Sequence, residues 1–247
     1  MDGRSVLVTG GTRGIGRAIV EACANAGASV GVLARKPDEL TETAAAVKAL
    51  GAPVLTVEGS IGNPEMADAA VTAMMDTFGR CDSVVNNAAI NPVFAPLMEA
   101  DLGAVNKVLD ANIAGPLRFT RAAWRAWMQE HGGSVLNVVS VGAFRPGPMI
   151  GAYNISKSAL THLTRQLAQE LAPAVRVNAI APGLVKTDMA RALWEPNEGA
   201  MARAHALGRL GVPDDIAAGA LFLLSDASAW MTGEVLVIDG GAGIAAR

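Results

Sequence analysis

The chain is 247 residues long, 51% hydrophobic and 17% charged, with a formal net charge of −3 at pH 7. That balance excludes a disordered chain, and the slight acidity gives non-specific nucleic-acid binding no electrostatic support. The length suffices to bury a full core in one large α/β domain, and two cysteines, Cys23 and Cys81, exclude a disulfide framework.

Met1-Asp-Gly-Arg-Ser5 leads straight into an apolar run, without the pattern of a signal peptide. No apolar stretch reaches the roughly 20 residues needed to span a bilayer. A cytoplasmic protein with no membrane partner is expected. From there, short β-branched runs alternate with Ala-rich segments of helical period. In chain order the pattern predicts a strand over Ser5–Thr9, a helix over Gly14–Ala26, a strand over Ser29–Ala34, a helix over Pro37–Leu50 and a strand over Pro53–Glu58. A helix over Pro64–Phe78, a strand over Ser83–Asn86, a long helix over Asp101–Glu130 and a strand over Ser134–Val139 follow. The last four are a helix over Ala152–Leu171, a strand over Ala174–Ala179, a helix over Pro213–Ser225 and a strand over Glu234–Ile238. Pro64 and Pro213 suit first-turn positions, and Gly27, Gly51 and Gly79 stand where helices close.

Continuous apolar runs mark strands covered on both faces, hence a doubly wound, Rossmann-type parallel sheet with helices on either side. With no linker or repeat, a single domain over 1–247 is expected. Two segments break the alternation, Asn87–Ala100 and Pro182–Gly211, and both follow strand carboxyl ends, where such sheets bind ligands. The second carries a plausible helix over Met189–Leu207 and is read as a substrate lid.

Two motifs carry chemistry. Gly10, Gly14 and Gly16 run from the first strand into a helix, where backbone N–H groups and the helix dipole attract a pyrophosphate. Far downstream, Tyr153 and Lys157 sit four residues apart, stacking a phenol and an ammonium on one helix face, with Ser140 preceding them at a strand end. A free phenol titrates near pH 10, about three pH units too high for proton exchange at neutrality. One ammonium about 4 Å away, at an effective dielectric near 20, supplies roughly the 4 kcal/mol that closes this gap. A lowered phenol pKa is therefore expected. The three histidines lack metal-ligand spacing, so no metal is expected. Ser156 reads as a helix-packing residue.

Thr9-Gly-Gly-Thr-Arg-Gly-Ile-Gly16, Asn86-Asn-Ala-Ala89, the series Asn112, Ser140, Tyr153 and Lys157, Pro182-Gly183 with Thr187, and the ending Thr232-Gly-Glu-Val-Leu-Val-Ile-Asp-Gly-Gly241 together resemble the short-chain dehydrogenase/reductase family. The resemblance covers nearly the whole chain. It implies a catalytic set of Asn112, Ser140, Tyr153 and Lys157. It also implies dinucleotide contacts from Gly10, Thr12, Arg13, Gly14, Ile15, Gly16, Arg35, Lys36, Ser60, Ile61, Asn87, Ala88, Ala89, Tyr153, Lys157, Pro182, Gly183, Val185 and Thr187. Lys157 would also hold the nicotinamide ribose, and Asn112 would fix a proton-carrying water. Ser60 departs from the pattern, since the family usually has Asp there.

Cofactor choice follows from charge. The second strand ends in Arg35-Lys36 with no carboxylate, and Arg13 lies inside the glycine loop. Guanidinium groups pair with a 2′-phosphate that a carboxylate would repel, so NADP(H) is expected. The substrate is expected to be a mainly apolar ketone or its secondary alcohol, with 3-oxoacyl thioesters leading. Its pocket would draw on Ile90, Val93, Phe94, Val141, Phe144, Met149, Ile150, Leu184, Met189, Leu193 and Trp194. A polyol or sugar dehydrogenase of the same family is the alternative, and a non-catalytic dinucleotide-sensing regulator is the alternative of a different class. The resemblance further implies a homotetramer built on the Asp101–Glu130 and Ala152–Leu171 helices and the last strand.

Overall fold

A computed structural model describes residues 1–244; residues 245–247, the end of the expected domain, lie outside the described residues. Seven strands, β1 (Ser5–Thr9), β2 (Ser29–Ala34), β3 (Val54–Glu58), β4 (Ser83–Asn86), β5 (Gly133–Val138), β6 (Val175–Pro182) and β7 (Val235–Ile238), form one sheet in the order β3-β2-β1-β4-β5-β6-β7. Every pairing is parallel. Strand order reverses beside β1, whose neighbours are β2 and β4, and the crevice at such a switch point is where these sheets bind ligands. The central strands β1 and β4 are buried at every position, as their unbroken apolar runs require.

Helices cover both faces. On one side lie α1 (Gly14–Asn25), α2 (Pro37–Ala49) and α10 (Pro213–Leu224), with Ile19, Cys23, Leu40, Val47, Ile216 and Leu223 in one apolar cluster. On the other lie α3 (Met66–Phe78), the long helix of α4 (Leu102–Leu109), α5 (Gly115–Ala123) and α6 (Gln129–His131), and α7 (Gly151–Leu171). They bury Val71, Met74, Phe119, Ala123 and Leu167 against the sheet. None of the helices among the described residues is long and apolar enough to cross a membrane.

The structure departs from the sequence pattern in four places. The helix expected over Asp101–Glu130 is interrupted by two wide π turns, Asp110–Ala114 and Trp124–Met128. The sixth strand runs on to Pro182, because Ala181 and Pro182 pair with Val237 and Ile238 of β7. Pro64 lies before α3 rather than in its first turn; the Asn63 side chain accepts from the Glu65 N–H there and turns the chain. The helix expected over Met189–Leu207 is broken into α8 (Arg191–Trp194), a 3₁₀ turn (Glu195–Asn197) and α9 (Glu198–Arg203). Pro196 cannot donate to the preceding turn, and Asn197 caps the new helix by accepting from the Ala200 N–H.

A chain of buried side-chain hydrogen bonds runs across the strands into α7. Asn86 Nδ2 donates to Asn137 Oδ1 at 2.9 Å, and Asn137 Nδ2 donates to Thr164 Oγ1 at 2.9 Å. Replacing Asn137 with Ala removes both bonds: Asn86 Nδ2 keeps only its longer contacts to Pro116 and Thr120, and Thr164 keeps only its bond to the Leu160 carbonyl. The expected loss is about 2–3 kcal/mol, a melting temperature lower by roughly 4–12 °C for a chain of this size. An unchanged thermal melt would refute this account of the strand–helix link.

Candidate active site

The glycine turn is built by close approach. A Cβ on Gly16 would lie 2.1 Å from the Gly10 carbonyl oxygen and 2.4 Å from Asn87 Nδ2, so no other residue fits. Gly10 and Gly14 hold positive φ, 66° and 52°. Asn87, just past β4, donates to the carbonyls of Thr9 and Gly10, both at 2.9 Å. Thr9 Oγ1 in return accepts from the N–H groups of Asn87 and Ala88, each at 3.1 Å. The ends of β1 and β4 are thereby stapled at the switch point. The first turn of α1 has no side-chain cap and no acidic residue, so its N–H groups remain free for an anion. Thr187 also reaches this turn: a Cβ on Gly14 would meet Thr187 Cγ2 at 3.1 Å. Gly183, next along that segment from Pro182, packs against the Asp239 backbone. Val185 is buried and bridges to Gly211, closing the base of segment 182–211.

The remaining dinucleotide candidates ring this turn. Ile61 is buried, and Ser60 turns the chain after β3 by accepting from the Gly62 N–H. Arg13 and Arg35 are exposed. Lys36 pairs with Glu39 at 2.8 Å, and Thr12 donates to the same carboxylate at 2.8 Å. The sequence reading sought an acid at the end of β2 and missed Glu39, one turn into α2.

Asn112 sits inside the first π turn and is fully buried. Its Oδ1 accepts from the Ile90 N–H at 2.9 Å; its Nδ2 donates to the Ile90 carbonyl and to Ser156 Oγ, both at 3.0 Å. Ser156 Oγ donates in turn to the Tyr153 carbonyl at 2.7 Å. Ser156 is therefore a link between two helices and not mere packing. Ser140 caps the 3₁₀ turn Val141–Ala143 by accepting from the Gly142 N–H at 3.1 Å, which leaves its own hydroxyl proton free to donate.

The phenol and the ammonium behave differently from expectation. Lys157 is 2% exposed; its Nζ donates to the Val138 carbonyl at 2.7 Å and lies 5.5 Å from the Tyr153 ring centroid. Burial pulls its pKa down to about 8. Burial likewise pushes the Tyr153 phenol up to about 12, opposed by a hydrogen bond with Ser140. The expected lowering does not arise from the protein groups alone, because desolvation of the phenolate is the largest effect.

The expected substrate pocket is also redistributed. Phe94, Met189 and Leu193 are 66%, 59% and 51% exposed, and only Val93 of the eleven residues is fully buried. A cavity of about 570 Å³ opens beside them, and of that set it takes in Phe144 and Met149. Its other walls are Ala95–Leu97, the rest of segment 142–148 with Arg145 its only charged residue, and the α7 residues Gly151, Asn154, Ile155 and Ser158. Helical spacing turns that α7 stripe away from Tyr153 and Lys157, and none of Ser140, Tyr153 or Lys157 lines the cavity.

Comparison with known proteins agrees with this architecture. A family model described as enoyl-(acyl carrier protein) reductase matches residues 10–243. The pig protein dehydrogenase/reductase SDR family member 4 is 38% identical over 98% of this chain and 88% of its own length. A short-chain type dehydrogenase/reductase from Mycobacterium ulcerans superposes with a TM-score of 0.93 at 35% identity, covering 98% of this chain and 90% of that one. A 7α-hydroxysteroid dehydrogenase solved with NADH and 7-oxo glycochenodeoxycholic acid superposes at 0.92 with 29% identity, covering 97% and 94%. These likenesses define an oxidoreductase built on a doubly wound sheet. The chain belongs to the short-chain dehydrogenase/reductase family.

Burying Lys157 has a measurable cost. Its pKa falls from an ordinary 10.5 to about 8 on folding, so between those values the unfolded chain binds more protons. Stability then rises with pH through that window, and the full penalty, about 3 kcal/mol, applies below it. Lys157→Met keeps the stem and removes the charge. In thermal melts at pH 7 without added nucleotide, the variant should gain roughly 4–8 °C after the lost Val138 bond is discounted. The gain should shrink as pH approaches 10.5. A variant that melts lower at pH 7 would show that the ammonium is well paid for by its carbonyl partner.

Proposed function

We propose that this chain is an NADP(H)-dependent oxidoreductase that interconverts a mainly apolar ketone and its secondary alcohol. One observation carries the reading: the Lys157 ammonium 5.5 Å from the Tyr153 ring centroid on the helix that follows β5, with Ser140 capping the turn between that strand and the helix. The residues around the glycine turn fit a dinucleotide, since Gly16 admits backbone only and the α1 N–H groups carry no cap. Thr12, Arg13, Arg35 and the backbone of Gly14, Ile15 and Gly16 would hold its adenosine and phosphates. Asn87–Ala89, Ser60 and Ile61 would border the adenosine, and Pro182, Gly183, Val185 and Thr187 the nicotinamide. The dinucleotide, when bound, supplies or accepts the hydride.

The side chains manage the oxygen. In reduction Tyr153 gives its proton to the carbonyl oxygen, while Ser140 donates a hydrogen bond to the charge that builds there. A phenol at about 12 stays protonated at neutral pH, which suits an acid. Lys157, at about 8, stays mostly charged there and stabilises the phenolate left behind. Asn112, fixed at Ile90 and Ser156, is the residue we assign to the water that returns the proton.

Support for NADP(H) is the pair Arg13 and Arg35, both exposed and both beside the turn; the steroid dehydrogenase named above carries NADH, so the choice rests on this chain's own charges. The apolar substrate is supported by Phe94, Phe144, Met189 and Leu193, and an acyl thioester by the description of the matching family model. We read segment 182–211 as the substrate lid of a single domain, and the helices within Asp101–Glu130 and Ala152–Leu171 with the last strand, where Leu102, Leu117, Ile155 and Val237 are exposed, as contacts of a homotetramer.

Turnover with NADPH should exceed that with NADH in kcat/KM, and Arg35→Asp should depress the former far more than the latter; a wild-type preference for NADH would sink the cofactor reading. Tyr153→Phe should keep dinucleotide binding and lower kcat by at least ~10²-fold. Because the charged form of Lys157 is lost as pH rises through about 8, the rate of ketone reduction should fall across that value. Activity confined to polyols or sugars in a ketone and alcohol panel would refute the apolar pocket.

A further inference from the structure

Glu39 is the one carboxylate that the structure brings to the glycine turn among the described residues. It stands in the first turn of α2, yet its side chain reaches back across the end of β2. Oε2 accepts from Thr12 Oγ1 at 2.8 Å, and Oε1 pairs with Lys36 Nζ at 2.8 Å. Lys36 and Thr12 together hold the carboxyl below the usual carboxylate range, and Arg13 adds to this through space. The carboxylate is thus fully charged at neutral pH. It is also half-screened from water, with 27% of its side chain exposed, while the Lys36 side chain is 65% exposed. Arg13 and Arg35 are exposed, and neither is ion-paired with a carboxylate among the described residues.

We propose that Glu39 is a specificity-determining residue for the dinucleotide, a fixed negative charge that limits how strongly the site favours a 2′-phosphate. The inference rests on the dinucleotide reading of the glycine turn. An acid that follows the glycine turn by about 20 residues is placed to meet the adenine ribose, accepting from its 2′-hydroxyl and repelling a phosphate there. Glu39 follows Gly16 at such a distance along the chain. It acts on the phosphate twice. Its own charge opposes the incoming group, and its pairing with Lys36 neutralises one of three nearby cations, leaving Arg13 and Arg35 to make the charge-assisted bonds. Its bond to Thr12 meanwhile ties α2 to the turn, a geometric duty that does not depend on charge.

Charge and geometry separate by substitution. Glu39→Gln keeps an oxygen to accept from Thr12 and removes the charge; Glu39→Ala removes both. The measurement is the ratio of dissociation constants for adenosine 2′,5′-diphosphate and adenosine 5′-monophosphate, titrated calorimetrically onto the full chain without turnover. Glu39→Gln should move that ratio toward the 2′-phosphate by ~10-fold or more, the scale of removing one like charge. The shift should shrink in high salt, and should be smaller when Lys36→Met is added, because the freed lysine carries part of it. An unmoved ratio in Glu39→Gln, or equal weakening of both ligands in Glu39→Gln and Glu39→Ala, would overturn the proposal by reducing Glu39 to a structural tie. The wild-type ratio separately judges the NADP(H) reading, so a chain that prefers the plain monophosphate can still display the Glu39 shift. Binding of neither ligand would overturn both.

Discussion

Gly16 has no room for a side chain, and that exclusion organises the nucleotide half of the molecule. Its α-carbon must pass within contact of the Gly10 carbonyl and of the Asn87 amide. The same Asn87 amide holds the carbonyls of Thr9 and Gly10, so one side chain from the end of β4 fixes the end of β1, the turn and the start of α1. A hydrogen-bonding side chain that bridges two strands at a topological switch point does more than close a gap. It satisfies carbonyls that the diverging strands would otherwise leave unpaired, and it holds the α1 N–H groups free of any internal cap.

The chemistry-bearing helix is held by a second set of buried polar contacts, and they keep one destabilising element, Lys157, in place. The π turn at Asp110–Ala114 adds a residue to the helix turn and carries the Asn112 amide against Ile90 and Ser156. Lys157 is almost wholly buried with one carbonyl partner, and its depressed pKa is the signature of that cost. An isolated helix would not tolerate this. Here Asn137 anchors Thr164 two turns further along the same helix, and Ser156, beside the lysine in the second turn, ties that helix to Asn112. Sites that store such costs are where stability has yielded to function.

How much of this was legible follows from what each signal measures. Alternating apolar periods report burial, so the seven strands and the helices flanking them were readable to within a few residues, and with them the doubly wound sheet. Glycine spacing reports backbone approach, so the turn at Gly10, Gly14 and Gly16 was readable too. What the period cannot report is a change of pitch: Asn112 falls inside a segment that reads as one continuous helix, although Pro116 two residues past the π turn was a hint. Nor does position along the chain report side-chain reach, which is why Glu39 was missed and Ser156 dismissed. The phenol's shift was misjudged because burial, which the helix spacing of Tyr153 and Lys157 does not report, is the largest effect on it.

The two halves of the candidate site are built on different physical terms. The nucleotide half consists of glycines that admit no Cβ, buried hydrogen bonds and strand ends in register, so its shape is fixed by backbone. The substrate half is made of exposed apolar side chains on Asn87–Ala100, on the segment after Ser140 and on segment 182–211. Between Ser140 and α7, Met149 adopts φ 67°, and the Asn154 amide is buried with neither its oxygen nor its nitrogen paired. A side chain in the left-handed region and an unpaired buried amide each cost of order 1–3 kcal/mol. Met149, in the loop, and Asn154, in α7, therefore both hold costs beside the cavity of about 570 Å³. Selectivity for the dinucleotide then follows from a few charges on a rigid frame. Selectivity for the proposed substrate would rest on the Met149 segment and its exposed neighbours, a property of the pair and not of the frame.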